Sequence, residues 1–165
     1  VTRRNRPPSR DEAADRISAY VYGNILVLSS LIVLYNKDVR SGAGLAIVLG
    51  TAVSTFAAHA YSEWLGSAVR EGGHASLPVV LRDSLPIMSA ASGPAVFMAV
   101  GAFEWLPAKV CLELAEAWVI ARIAATGFAL GRLQGRPVTA ITWIASLALA
   151  AVAFAIVGLK LALAH

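Results

Sequence analysis

Charge is scarce in this chain. Asp, Glu, Lys and Arg make up 15% of its 165 residues, against about 25% in an average soluble domain. Hydrophobic residues make up 58%. They fall in long blocks without two-fold alternation, which argues against half-buried strands. A soluble domain of this length would need far more polar surface, so the composition indicates a helical membrane protein in one domain. Cysteine is nearly absent. Cys111 stands alone, which excludes an internal disulfide and any zinc spacing. It reads as a small apolar packing residue. The chain also has no HExxH, no nucleophile elbow and no phosphate loop, so it is not expected to be an enzyme of the soluble type.

Residues 1–16, VTRRNRPPSRDEAADR, are polar and arginine-rich. They read as a cytoplasmic tail, or a short helix from Asp11, lying on an anionic membrane face. They lack aromatic interleaving, and the net charge of +4 gives no case for nucleic acid. Five apolar stretches follow, at about 17–35, 44–65, 84–103, 109–131 and 138–163, each long enough to cross a bilayer. Short polar turns join them. The expected fold is therefore all-α, a polytopic membrane protein built as a five-transmembrane-helix bundle over 17–163. The stretch 17–35 is too long for a signal-peptide core and has no A-x-A cleavage site. With the N-terminus inside, the cytoplasmic side holds Arg3, Arg4, Arg6, Arg10, Arg16, Arg70, Arg82, Arg132 and Arg136. The outside holds only Lys37, Arg40, Lys109 and Lys160. That asymmetry orients the bundle with its N-terminus cytoplasmic. Ser92-Gly93-Pro94 interrupts the third stretch, and Pro94 should kink it.

Ionisable groups inside spans mark candidate sites, because each costs about 2.5–3.5 kcal/mol on insertion scales. The second stretch carries His59 and Glu63, four residues apart on one helix face. Such a pair can hold a divalent cation or relay a proton. Two ligands are too few, so Asn24 of the first span is the expected third. Glu113 and Glu116 lie one turn apart near the outer end of the fourth span. They touch headgroups or line the same route. Arg122, near the middle of that span, requires a partner, and Glu63 is the expected one despite a depth difference of about 10 Å. Gly127 and Gly131 form a G-x-x-x-G motif suited to close packing, within the bundle or across a homodimer seam.

Several segments resemble the vacuolar iron transporter family. Tyr22-Gly23-Asn24 is similar to that family's F-G-x-N-D-G start. Ser54-Thr-Phe-Ala-Ala-His-Ala-Tyr61 is similar to its second-helix S-M-A-A-G-E-Y. Gly127-Phe-Ala-Leu-Gly-Arg-Leu-Gln-Gly-Arg-Pro resembles its passage from fourth to fifth helix. The resemblance implies a five-span fold and transport of Fe(II) or Mn(II), in exchange for protons. The family's metal ligands are not retained. No aspartate stands beside Asn24, the motif methionine and glutamate fall on Phe56 and Ala60, and the acidic insert after the second span is missing. The alternative expectation is a non-transporting scaffold or accessory subunit in the cytoplasmic membrane, in contact with the bilayer and with a second copy of itself.

Overall fold

The computed structural model describes residues 10–69, 76–133 and 151. Six helices run in order: α1 (Arg10–Ile32), α2 (Asn36–Arg40), α3 (Ala43–Val69), α4 (Leu77–Ala90), α5 (Ser92–Ala102) and α6 (Ala108–Leu133). No strand occurs among the described residues. The stretch 138–163 lies outside them, apart from one helical residue at 151.

The first helix begins earlier than its apolar stretch and ends earlier too. It stops at Ile32, so Val33 and Leu34 fall in the turn. The connection that follows is a short helix rather than a plain turn. Asp38 starts it by accepting the Tyr35 backbone N–H at 2.8 Å, which satisfies a donor the first turn would otherwise leave open. Gly42, at φ 77°, closes it in the left-handed region that glycine enters without strain. Residues 66–83, expected as a polar loop, are helical over 66–69 and 77–83. Small and long-chain residues let α3 continue to Val69, and Pro78 sits in the first turn of α4, where its missing N–H costs nothing.

The third stretch is two helices. They meet at Ala91 with a bend of 41°. Pro94, in the first turn of α5, offers no N–H to the carbonyl of Ala90 four residues back. Ala95 picks up the ladder again by donating to Ala91 at 2.8 Å. The far end of α5 closes with a pair of reversed bonds, Glu104 N–H to Gly101 at 3.1 Å and Trp105 N–H to Val100 at 3.1 Å. Glu104 takes φ 57° there, and Pro107 follows before α6 begins, as expected beyond such a cap.

Packing places α1 against α3, α4 and α6. The bent pair α4–α5 lies against α3, and α5 packs on α6. Leu31, Leu34, Val39, Val48, Ile87, Met98 and Val119 fill the core. Close approach depends on glycine. A Cβ on Gly23 would sit 2.9 Å from the Cα of Ile87, so α1 and α4 touch backbone to backbone. Gly93 leaves room for the indole of Trp118, which meets Phe97 edge-on at 6.3 Å. This is packing by small residues, the mode that helices use where hydrophobicity does not drive them together. The glycine motif of α6 plays no described part: the surroundings of Gly127 and Gly131 lie outside the described residues.

By length and composition, α3 can cross a membrane. The bent pair α4–α5 passes the same test if it is one span. Among the described residues no other helix passes, and charge enters both α1 and α6. Arg10, Asp11, Glu12, Asp15 and Arg16 lie in the first turns of α1, and α6 carries Lys109, Glu113, Glu116, Arg122 and Arg132.

Candidate functional site

The polar centre of the described bundle is Arg122. Its Nε donates to the Tyr20 hydroxyl at 2.8 Å. Nη1 donates to the backbone carbonyl of Ser89 at 2.6 Å, and Nη2 to the Ser89 hydroxyl at 3.1 Å. The Ser92 hydroxyl stands 3.5 Å from Nη1. The guanidinium carbon also lies 4.8 Å from the Tyr20 ring centroid, close enough for a cation–π attraction. Three elements converge here: α1 through Tyr20, the bend through Ser89 and Ser92, and α6 through Arg122. The bend supplies the acceptors. Ser92 and Ser89 turn their own hydroxyls back to the carbonyls of Ser89 and Pro86, at 2.8 and 2.7 Å.

The expected Glu63–Arg122 pair does not form. All of the acceptors Arg122 meets are neutral oxygens. The reason is placement. Glu63 is on α3, which packs on α1, α4 and α5 and makes no substantial contact with α6, the helix of Arg122. A double-mutant cycle with Glu63→Gln and Arg122→Gln should therefore give a coupling below about 0.5 kcal/mol, as for distant sites. The cycle of Tyr20→Phe with Arg122→Gln should give more, within the range of residues in contact. Thermal unfolding in detergent measures both, and a large coupling in the first cycle would restore the ion pair.

One turn from Tyr20, Asn24 is completely buried. Its Nδ2 donates to the Tyr20 carbonyl at 2.7 Å. That bond fixes the amide orientation and leaves Oδ1 buried without a partner. An orphaned acceptor costs about 1–3 kcal/mol. Asn24→Leu should therefore match the parent in thermal stability or exceed it by about 1 kcal/mol. A large loss would mean that Oδ1 holds a water or an ion in solution.

The other sequence-predicted residues are spread over the molecule. His59 and Glu63 are half-buried on α3. Glu113 is exposed on α6, 3.9 Å from Lys109 one turn earlier, with 60% of its side-chain surface open. Such a pair contributes a few tenths of a kcal/mol at most. Glu116 is buried on the same helix. Among the described residues, no three His, Cys, Asp or Glu side chains come together to hold a metal ion.

Sequence reasoning missed Tyr20, Ser89, Arg16 and Asp83. Arg16 ties the start of α1 to α4. Its Nε and Nη2 both donate to Asp83 Oδ1, at 3.0 and 2.8 Å. Arg16, Tyr20 and Arg122 border one open groove between α1, α4 and α6, with a volume of about 330 Å³. Ile17, Pro86, Ala125 and Thr126 complete its walls. The usable signal was Arg122 itself: a guanidinium within an apolar helix needs acceptors at its own level. No family model, curated protein or solved structure matches the chain.

Proposed function

We propose that the chain is a small polytopic membrane protein, a five-span bundle with a cytoplasmic N-terminus, serving as a non-transporting scaffold or accessory subunit in a bacterial-type cytoplasmic membrane. The observation that carries the membrane reading is α3. Its apolar window has a mean hydropathy of 1.5, yet only 22% of it is buried by the rest of the molecule. The core helix of a soluble protein would be mostly covered. Ile47, Leu49, Val53 and Leu65 all face outward from it, which suits lipid and does not suit water. The unfilled apolar surface also leaves room for a second copy, so a homodimer belongs to this reading.

The scaffold role is favoured over transport by the spread of the acids. A divalent cation needs several oxygen or nitrogen ligands at one point. The described bundle instead puts a guanidinium at its polar centre, which repels cations. The second reading, exchange of Fe(II) or Mn(II) for protons, keeps His59 and Glu63 on one face of α3 and the resemblance to iron transporters. Uptake of Fe(II) and Mn(II) into reconstituted vesicles, with and without a pH gradient, separates the two. The scaffold reading expects no uptake. Uptake by the parent that His59→Ala abolishes would establish exchange instead. Reporters fused to the two ends should read opposite sides of the membrane, and finding them on the same side would rule out an odd number of spans.

A further inference from the structure

We propose that the groove between α1, α4 and α6 binds the headgroup of an anionic phospholipid, with its phosphodiester between Arg16 and Arg122. The inference rests on the membrane reading above, since it takes its ligand from the bilayer.

Charge is the first support. Asp83 engages Arg16, so one guanidinium charge at the groove is answered. Arg122 is not: it meets only neutral oxygens. The groove therefore keeps one positive charge, which a singly charged phosphodiester matches. Donor geometry is the second. The contacts of Arg16 use its Nε and Nη2, which leaves the Nη1 hydrogens for a further oxygen. Arg122 keeps one Nη2 hydrogen that Ser89 does not take, so each guanidinium can give the phosphodiester a charge-assisted bond without releasing its present partners.

Level is the third support. Arg16 is the last charged residue before the apolar run that starts at Ile17. It marks the plane where α1 leaves the polar phase. Tyr20, which holds Arg122, is four residues on, about 6 Å deeper along the helix. Arg122, expected at mid-depth, is instead held beside Tyr20, so the two guanidinium groups lie about one helix turn apart near the cytoplasmic boundary, where anionic lipids concentrate and basic pockets between helices hold their headgroups. The walls are the fourth. Ile17, Pro86 and Ala125 are apolar and cannot replace the water around a free inorganic phosphate. They can take the glycerol backbone and the first methylenes of an acyl chain. A volume of about 330 Å³ suits a headgroup with its tails running out into the bilayer. A zwitterionic lipid is disfavoured, because its own cation would stand beside Arg122.

The test uses the full chain purified in a neutral detergent. Native mass spectrometry follows binding, and thermal unfolding follows the accompanying shift. Phosphatidylglycerol, phosphatidylcholine of the same acyl composition and inorganic phosphate are the three probes. Phosphatidylglycerol is expected to bind and raise the unfolding midpoint, phosphatidylcholine to bind at least ten-fold more weakly, and inorganic phosphate to do neither. Arg122→Gln should lose ten-fold or more of the phosphatidylglycerol affinity. Ala125→Trp, from an exposed position on α6, should fill the groove and lose the same binding without touching the guanidinium. It also carries the test should Arg122→Gln fail to fold. Equal binding of the two lipids, unchanged binding in the variants, or a phosphate effect equal to that of phosphatidylglycerol would overturn the site. A chain that stays in the membrane yet shows no lipid preference sinks the site alone. A chain that purifies without detergent sinks the membrane reading and the site together.

Discussion

Gly23→Leu is expected to unfold the bundle or leave it far less stable than the parent. The neighbour of Gly23 is backbone. A Cβ there would lie 2.9 Å from the Cα of Ile87 and 3.2 Å from its carbonyl oxygen. Side chains can rotate out of the way, but the axis of a helix cannot. Gly23→Ala alone should cost about 1–3 kcal/mol, the usual range for overpacking. The larger side chain of leucine must drive α1 away from α4 and should exceed that range. The separation would also part Tyr20 from Ser89, and Arg16 from Asp83, so the polar centre should fail with the packing. Gly50→Leu is the control, since nothing lies within 4 Å of a Cβ at that position. It should unfold with the parent. Thermal unfolding in detergent compares the three. If Gly23→Leu melts at the parent's temperature, the close approach of α1 and α4 is not a feature of the folded chain.

Helix content was legible from the residues because long apolar blocks without alternation leave little else. The break in the third stretch was legible as well. Serine, glycine and proline in succession announce a weak point, and the helices part at Ala91, three residues before Pro94. Boundaries were harder. The helix α3 continues to Val69 because nothing in Gly66-Ser-Ala-Val ends a helix, and polarity alone was a poor guide to a loop. The close-packing glycines were not legible. Gly127 and Gly131 have the familiar spacing, whereas Gly23, Gly93 and Gly101 have no motif. Each matters through a particular neighbour on another helix, and a single sequence does not specify which residues become neighbours.

The site was legible only at Arg122. A charge amid apolar residues required polar company, and that followed from the cost of burying it unpaired. Its company could not be read, because the acceptors are a carbonyl, three hydroxyls and a ring, none of which stands out in composition. An acid was the obvious partner, and Glu63 was an acid at an approachable depth. Packing decided otherwise, because α3 and α6 make no substantial contact with each other. Asn24 shows the opposite case. It was named for its side chain, and it is fully buried. The single bond it makes is to Tyr20, which anchors Arg122. The polar residues of α1 thus serve the arginine cluster rather than a set of acids, which is why the groove beside them is read as an anion site.

Gly101→Val should be the second severe substitution, and it can be reversed from another helix. Gly101 ends α5 against α2 and α6. A Cβ at Gly101 would collide with Cγ1 of Val39 and would lie 3.1 Å from Cβ of Cys111. Val39 and Cys111 are both completely buried, so neither can move aside into solvent. Gly101→Ala should cost about 1–3 kcal/mol by overpacking, and Gly101→Val more. Val39→Ala alone opens a small cavity and should also destabilise, by about 1 kcal/mol per methyl group lost. The double variant Gly101→Ala with Val39→Ala puts a methyl where one was removed. It should regain much of the loss, with a favourable coupling of about 1–3 kcal/mol. Val39 is the buried residue of α2, so the coupling measures how firmly that five-residue helix is seated on α5 and α6. Additive losses, measured by thermal unfolding of the four proteins side by side, would mean that α2 does not rest on Gly101 in solution.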